Sequence, residues 1–284
     1  MPTFTNQAFL SYRNNVTGSN IVTGEIRDVL SVTKTAVSEA YTADGRITYV
    51  VSLVNTGSTP LTNLTLSDDL GAYGFGTGQV VPLDYVDGSV RYFVNGTLQA
   101  APAVGNVSPL TITGITVPAG GDALVIYEAQ VNGFAPLGTD GSITNTVTVT
   151  GVGLTAPLTA EEVVNAEQTA LLTITKAIDP VSVADGEPLT YTFTIQNFGN
   201  EATVATDNVI VTDTINPILS AITVTLNGVT LTEGTDYTYD ETTGAFATVA
   251  GVVSVPAATY TQDPTTGIWS VTPGETQLVV VGTV

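Results

Sequence analysis

The sequence predicts an all-β protein, because valine and threonine dominate and short alternating apolar-polar runs are punctuated by Gly, Asn, Asp and Pro. No window sustains a helical period. The chain also repeats itself once, and its 284 residues suit two domains of about 100 to 150 residues, each able to bury a core of its own. Roughly seven strands per repeat at short spacing, with hairpin turns at Asn95-Gly96 and Asn227-Gly228, indicate two tandem immunoglobulin-like β-sandwiches.

Taken in order, residues 1–26 form an N-terminal arm and linker, 27–165 a first sandwich and 166–284 a second. Val32-Thr33-Lys34-Thr35-Ala36 matches Ile174-Thr175-Lys176-Ala177-Ile178. Ala43-Asp44-Gly45 followed by Thr48-Tyr49 matches Ala184-Asp185-Gly186 followed by Thr190-Tyr191, and Asn55-Thr56-Gly57 matches Asn197-Phe198-Gly199. Asn63 to Asp68 matches Asn208 to Asp213, and the stretch Leu124 to Val131 matches Leu278 to Val284. The first repeat then runs into a last strand, Ser142-Ile143-Thr144-Asn145-Thr146-Val147-Thr148-Val149-Thr150, followed by an alternating segment from Leu158 to Val164. The second repeat reaches Val284 with no such copy.

That missing pattern stands at the front of the chain, in Thr3-Phe4-Thr5-Asn6-Gln7-Ala8-Phe9-Leu10-Ser11-Tyr12, followed by an expected turn from Asn14 to Asn20 and a segment from Ile21 to Ile26. The arm therefore reads as a last strand plus its exit, displaced to the N-terminus. A sandwich without its last strand exposes an apolar groove and unpaired backbone groups, which natural proteins seldom leave open. The expectation is a donor strand, with Phe4, Asn6, Ala8, Leu10 and Tyr12 facing the groove of another copy. A contact of this head-to-tail kind propagates into a filament. The partner is thus the protein itself. The rival expectation is a monomeric adhesin or stalk module whose second sandwich closes by other means.

With 26 acidic residues against 6 basic ones, a net charge of -20 disfavours nucleic acid and anionic lipid as partners. No apolar run is long enough to enter a membrane as a helix, and what the filament adheres to is not encoded in any motif. The absence of cysteine and histidine removes disulfides, thiol chemistry and the usual zinc and copper sites. The acids are scattered and form no calcium loop, so no metal and no cofactor is expected. There is no nucleophile elbow, which argues against an enzyme acting on an outside substrate. Met1-Pro2-Thr3 lacks a signal-peptide layout, so an extracellular place at a cell or spore surface would need another route of export, or lysis.

The candidate chemistry lies in the two lysines of the chain, Lys34 and Lys176, at equivalent positions. Strand alternation groups Lys34 with Leu30, Val32 and Ala36, and Lys176 with Leu172, Ile174 and Ile178, so both should point inward. The same parity turns Asp68, Asp213, Asn145 and Asn6 inward. Buried charges must meet a partner. One outcome is a spontaneous amide, in which burial favours a neutral amine and a protonated acid, the amine attacks the Asn carboxamide and the acid shuttles the proton to departing ammonia. Lys34 would join Asn145 within one chain and Lys176 would join Asn6 of a neighbour, with Asp68 and Asp213 as the promoting acids. The other outcome is a buried Lys-Asp ion pair with Asn as a polar neighbour. Asn55 and Asn197 are rival acceptors, although their Asn-x-Gly setting reads as a turn.

The lysine strands, the Thr-Tyr strands, the Asn-x-Gly turns, the Val-Thr-Asp strand and the run Thr144-Asn145-Thr146-Val147-Thr148-Val149-Thr150 resemble the bacterial surface repeat family catalogued as domain of unknown function eleven. The placement of Lys, Asp and Asn is similar to that of collagen-adhesin-type domains in Gram-positive pilins. That resemblance implies internal isopeptide bonds, Lys34 with Asn145 and Lys176 with Asn6. Such pilins often use Glu as the acid, but Glu128 has no counterpart near Val281 and Gly282, which favours Asp68 and Asp213. They also carry a sortase motif, absent from this sequence, so the expectation is self-assembly.

Overall fold

The computed structural model describes residues 3–25 and 29–284, and their regular secondary structure is almost wholly β-strand. Backbone contacts divide the chain into two compact units: the chain up to Ala135 with Ser142–Asn165, and Pro136–Gly141 with Ala166–Val284. The expected end of the arm, at residue 26, and the start of the first sandwich, at residue 27, lie outside the described residues.

The first unit is a sandwich of two antiparallel sheets. One runs Thr97–Leu98, Arg91–Val94, Asp122–Val131, Arg46–Asn55, Leu30–Ala36, with Leu83–Tyr85 also pairing Asp122–Val131. The other runs Ala103–Val107, Leu110–Val117, Leu61–Asp68, Ser142–Thr150, Leu158–Ala166, Ala40–Tyr41. Strand alternation sends every second side chain inward. Ile47, Tyr49, Val51 and Leu53 from the first sheet meet Leu64, Leu66, Val147 and Val149 from the second, all buried. Burying each such side chain contributes roughly 1.5–3 kcal/mol. The turn at Asn95-Gly96 has φ of 47° and 73°, and that at Asn227-Gly228 has 49° and 80°. Both are two-residue hairpin turns that need positive φ twice, which Asn and Gly tolerate.

The second unit has a five-stranded antiparallel sheet in the order Leu172–Asp179, Pro188–Asn197, Gly274–Thr283, Ser220–Leu226, Val229–Thr230. Its core joins Leu189, Tyr191, Phe193, Leu278 and Val280 of that sheet to Val211, Ile215 and Phe246 from the other side. The second sheet has only three strands, Thr212–Thr214, Ala245–Thr248 and Tyr237–Asp240. Leu61–Asp68 of the first unit is paired on both edges, by Leu110–Val117 and by Ser142–Thr150. Among the described residues its counterpart Thr212–Thr214 is paired on one edge only, by Ala245–Thr248. Ile174, Ile178 and Ile210 are accordingly exposed, although the first two share the face that parity turns inward.

Strand pairing corrects one detail of the repeat. Tyr127 lies opposite Tyr49, and Val280 opposite Tyr191. Val131 therefore corresponds to Val284, but Leu124 corresponds to Gln277 rather than Leu278. Alternating apolar strands look alike when slipped by one residue, and only pairing fixes the phase.

The arm is a hairpin in two pieces: Thr3–Asn6 pairs Val22–Glu25, and Phe9–Tyr12 pairs Asn15–Gly18. The expected turn from Asn14 to Asn20 is a tight one at Arg13-Asn14, with φ of 44° and 69°, and the rest is a return strand. At the break, the Ser19 amide donates to the Ala8 carbonyl at 2.8 Å and the Ala8 amide donates to Ser19 Oγ at 3.0 Å. Phe4, Phe9, Leu10, Tyr12, Val16, Ile21 and Val22 are all more than half exposed. An apolar hairpin of this kind is marginal in water by itself and calls for a covering surface.

Candidate functional site

Lys34, Asp68 and Asn145 come together between the sheets of the first unit. Each is delivered by an inward position on a different strand, and all three are buried. Lys34 Nζ donates to Asp68 Oδ2 at 2.6 Å and stands 4.7 Å from the Tyr49 ring centroid. Asp68 Oδ2 also accepts from the Tyr127 hydroxyl at 2.6 Å, while Oδ1 accepts from the Leu70 amide at 3.0 Å. Asn145 Nδ2 donates to the Tyr127 oxygen at 3.2 Å. Asn145 Oδ1 is buried and has no hydrogen-bond partner among the described residues. Burial lowers the Lys34 pKa more than Asp68 restores it, so the ammonium gives up its proton more readily than an exposed lysine does. Burial, and next the Asp68 charge, raise the Tyr127 hydroxyl well above its ordinary value, so it stays protonated and donates.

The second centre has the same ion pair in a different setting. Lys176 Nζ donates to Asp213 Oδ2 and stands 4.3 Å from the Tyr191 ring centroid. The side chains of Lys176 and Asp213 are 37% and 20% exposed, against 0% and 3% for Lys34 and Asp68. The difference follows from the sheet edge: Ser142–Thr150 covers the first pair, and no strand among the described residues lies beside Thr212–Thr214 there. The expectation of a buried Lys176 is therefore not met in the single chain. Asn6 lies exposed in the arm, opposite Val22.

Tyr127 is a functional candidate that the sequence analysis does not single out. Its parity with the inward Val125 and Ala129 was legible, but its hydroxyl bridge to Asp68 and Asn145 was not. The second centre has Val280 at that place, and the Tyr191 hydroxyl donates to the Asn216 carbonyl instead. Asn55 and Asn197 act as turn pins. Asn55 Nδ2 donates to the Thr59 and Pro118 carbonyls and its Oδ1 accepts from the Gly57 amide. Asn197 repeats this with Glu201, Pro256 and Gly199. Glu128 pairs with Arg46 at 3.3 Å on the outer face and is well removed from an inward role. Among the described residues no group of three or more His, Cys, Asp or Glu could hold a metal, and no helix is long and apolar enough to cross a membrane.

No family model matches the chain, and no curated sequence matches it. Among solved structures it is similar to the major pilin SpaD of Corynebacterium diphtheriae, at 14% identity and a TM-score of 0.35 over 58% of this chain and 41% of the pilin. It is similar to the pilus backbone RrgB of Streptococcus pneumoniae at 12% identity and 0.34, over 86% of this chain and 55% of that one. A family 123 glycoside hydrolase from Clostridium perfringens scores 0.30 at 10% identity, over 48% of this chain and 27% of the enzyme. The chain thus spans about half or less of these neighbours. At such scores a pilin and a hydrolase match alike, so the fold rests on the strand topology itself and the likenesses carry no argument about function.

Proposed function

We propose that this chain is a structural subunit of a self-assembling extracellular filament at a cell or spore surface. Subunits join head to tail, the N-terminal arm of one copy completing the second unit of the next. The observation that carries this reading is the contrast between the two lysine centres. One is sealed by its own Asn-bearing strand, and the other stands beside an unpaired sheet edge while a matching Asn-bearing strand is exposed in the arm.

In this reading both centres form amides. Neutral Lys34 Nζ attacks Asn145 Cγ, Asp68 relays a proton from the amine to the carboxamide nitrogen, the C–N bond breaks and ammonia leaves, with no change of oxidation state. The orphaned Asn145 Oδ1 marks a carboxamide that the folded site holds but does not satisfy, which supports its being a reactant. Lys176 with Asn6 of the neighbour, promoted by Asp213, would lock the filament. Turnover of an outside substrate has no part in this reading.

The test is electron microscopy of the purified chain, followed by boiling in detergent and intact-mass measurement. Fibres that persist as a ladder of multimers, each link lighter by one ammonia and absent in Asn6→Ala and Lys176→Ala, are the expected result. A monomer that stays monomeric on concentration would overturn assembly and leave the monomeric adhesin or stalk module. Fibres that dissolve to unmodified monomers would overturn the amides alone.

A further inference from the structure

We infer that the arm enters the neighbouring copy as a preformed two-stranded hairpin, so that the interface includes the return strand Val22–Glu25 and the segment around Val181. This rests on the donor-strand reading and specifies its partner surface. In the first unit the last strand is never alone: Ser142–Thr150 pairs Leu158–Ala166, which lies in turn beside Ala40–Tyr41. The Asn165 amide donates to the Glu39 carbonyl at 3.0 Å. The arm reproduces that hairpin. Asn145 is opposite Glu162, and Asn6 is opposite Val22; Ile143 is opposite Val164, and Phe4 is opposite Gly24.

The inward pairs are complementary in volume. Ile143 and Val164 are two mid-sized side chains buried together. In the arm one ring covers a residue with no side chain: a Cβ on Gly24 would fall 2.5 Å from Phe4 Cζ. A large-small pair replaces a medium-medium pair at the same two places, as expected of positions that fill equivalent core space.

The receiving side has a matching vacancy for both strands. Superposing Asn6 on Asn145 sets Ala8 against Asp213 and Ser11 against Ile210, as Val147 faces Asp68 and Thr150 faces Thr65. Ala40 and Tyr41, beside the exit strand, correspond to Val181 and Ser182 through the Ala-Asp-Gly match. Ala40 is exposed even in the closed unit, as Val181 is, but Tyr41 is 3% exposed, whereas its counterpart Ser182 is exposed and belongs to no strand. A single donated strand would leave Ser182 and the backbone edge around Val181 open, and the hairpin covers them.

The chain has no cysteine, so single thiols can be placed without background. Thr23→Cys in one preparation and Val181→Cys in another are mixed, assembled and treated with a short bis-maleimide. A second mixture carries Ser11→Cys and Ile210→Cys. Mixing separate variants excludes links within one chain. The expected result is a heterodimer in both mixtures on a denaturing gel, with the linked positions identified by mass spectrometry. Linkage only between positions 11 and 210 overturns the hairpin while leaving the donor strand standing. Linkage in neither mixture overturns the donor-strand reading itself, and linkage only between 23 and 181 contradicts the shared register.

Discussion

Lys34 and Lys176 share a sequence context and differ in what covers them, and their energetics should differ accordingly. In an Asn145→Ala background, where no amide forms, Lys34→Met strands the Asp68 charge in a closed core and should destabilise the first unit by about 3–5 kcal/mol. Lys176→Met in the unassembled chain breaks a pair that water reaches and should cost about 0–1 kcal/mol. Denaturant titration of each variant checks the contrast. Tyr127→Phe removes the hydroxyl that accepts from Asn145 Nδ2 and donates to Asp68, an expected loss of about 1–3 kcal/mol by the same titration.

The pH dependence of the first centre follows from burial. Lys34, held below the ordinary 10.5, binds fewer protons folded than unfolded, so stability rises with pH between its folded value and 10.5. Above about 10 the buried Tyr49 and Tyr127 act oppositely, because the folded state keeps hydroxyl protons that the unfolded chain releases. In Asn145→Ala, which cannot form the amide, the urea midpoint of the first unit should climb as pH approaches about 10 and turn over near there. A flat or falling midpoint there contradicts the assignment.

The arm shows how far strand patterns can be read. Its kinship with Ser142–Thr150 was legible because Asn6 and Asn145 sit in the same alternation, and strand parity needs only the chain itself. The tight turn at Arg13-Asn14 was not, since Arg carries no signal for the positive φ it adopts. The phase of Gly274–Thr283 was equally hidden, because its valines fit either register until Tyr191 fixes one. The glycine at position 24 gains meaning only beside Phe4. Gly24→Val should overpack the arm's inward pair and slow assembly, at a cost of about 1–3 kcal/mol. Adding Phe4→Ile recreates the pair found at Ile143 and Val164 and should restore assembly, as followed by light scattering. Equal rates for all three proteins would show that this face is not buried on assembly.

For the molecule as a whole, the two units embody one design in two states, one closed by its own strand and one with an edge to fill. On the proposed reading, a net charge of -20 would keep the exposed apolar arm from indiscriminate collapse and leave register-specific β-pairing as the route to association. The most direct test uses two crippled chains. Lys176→Ala keeps a reactive arm without a reactive groove, and Asn6→Ala keeps the reactive groove without a reactive arm. Neither alone should form a detergent-resistant product. Mixed, they should yield a covalent dimer of one copy of each, lighter than their sum by one ammonia, with growth stopping there. If the mixture gives only monomers in detergent while the parent chain loses ammonia at Asn6, the arm has closed on its own chain and the filament account is wrong.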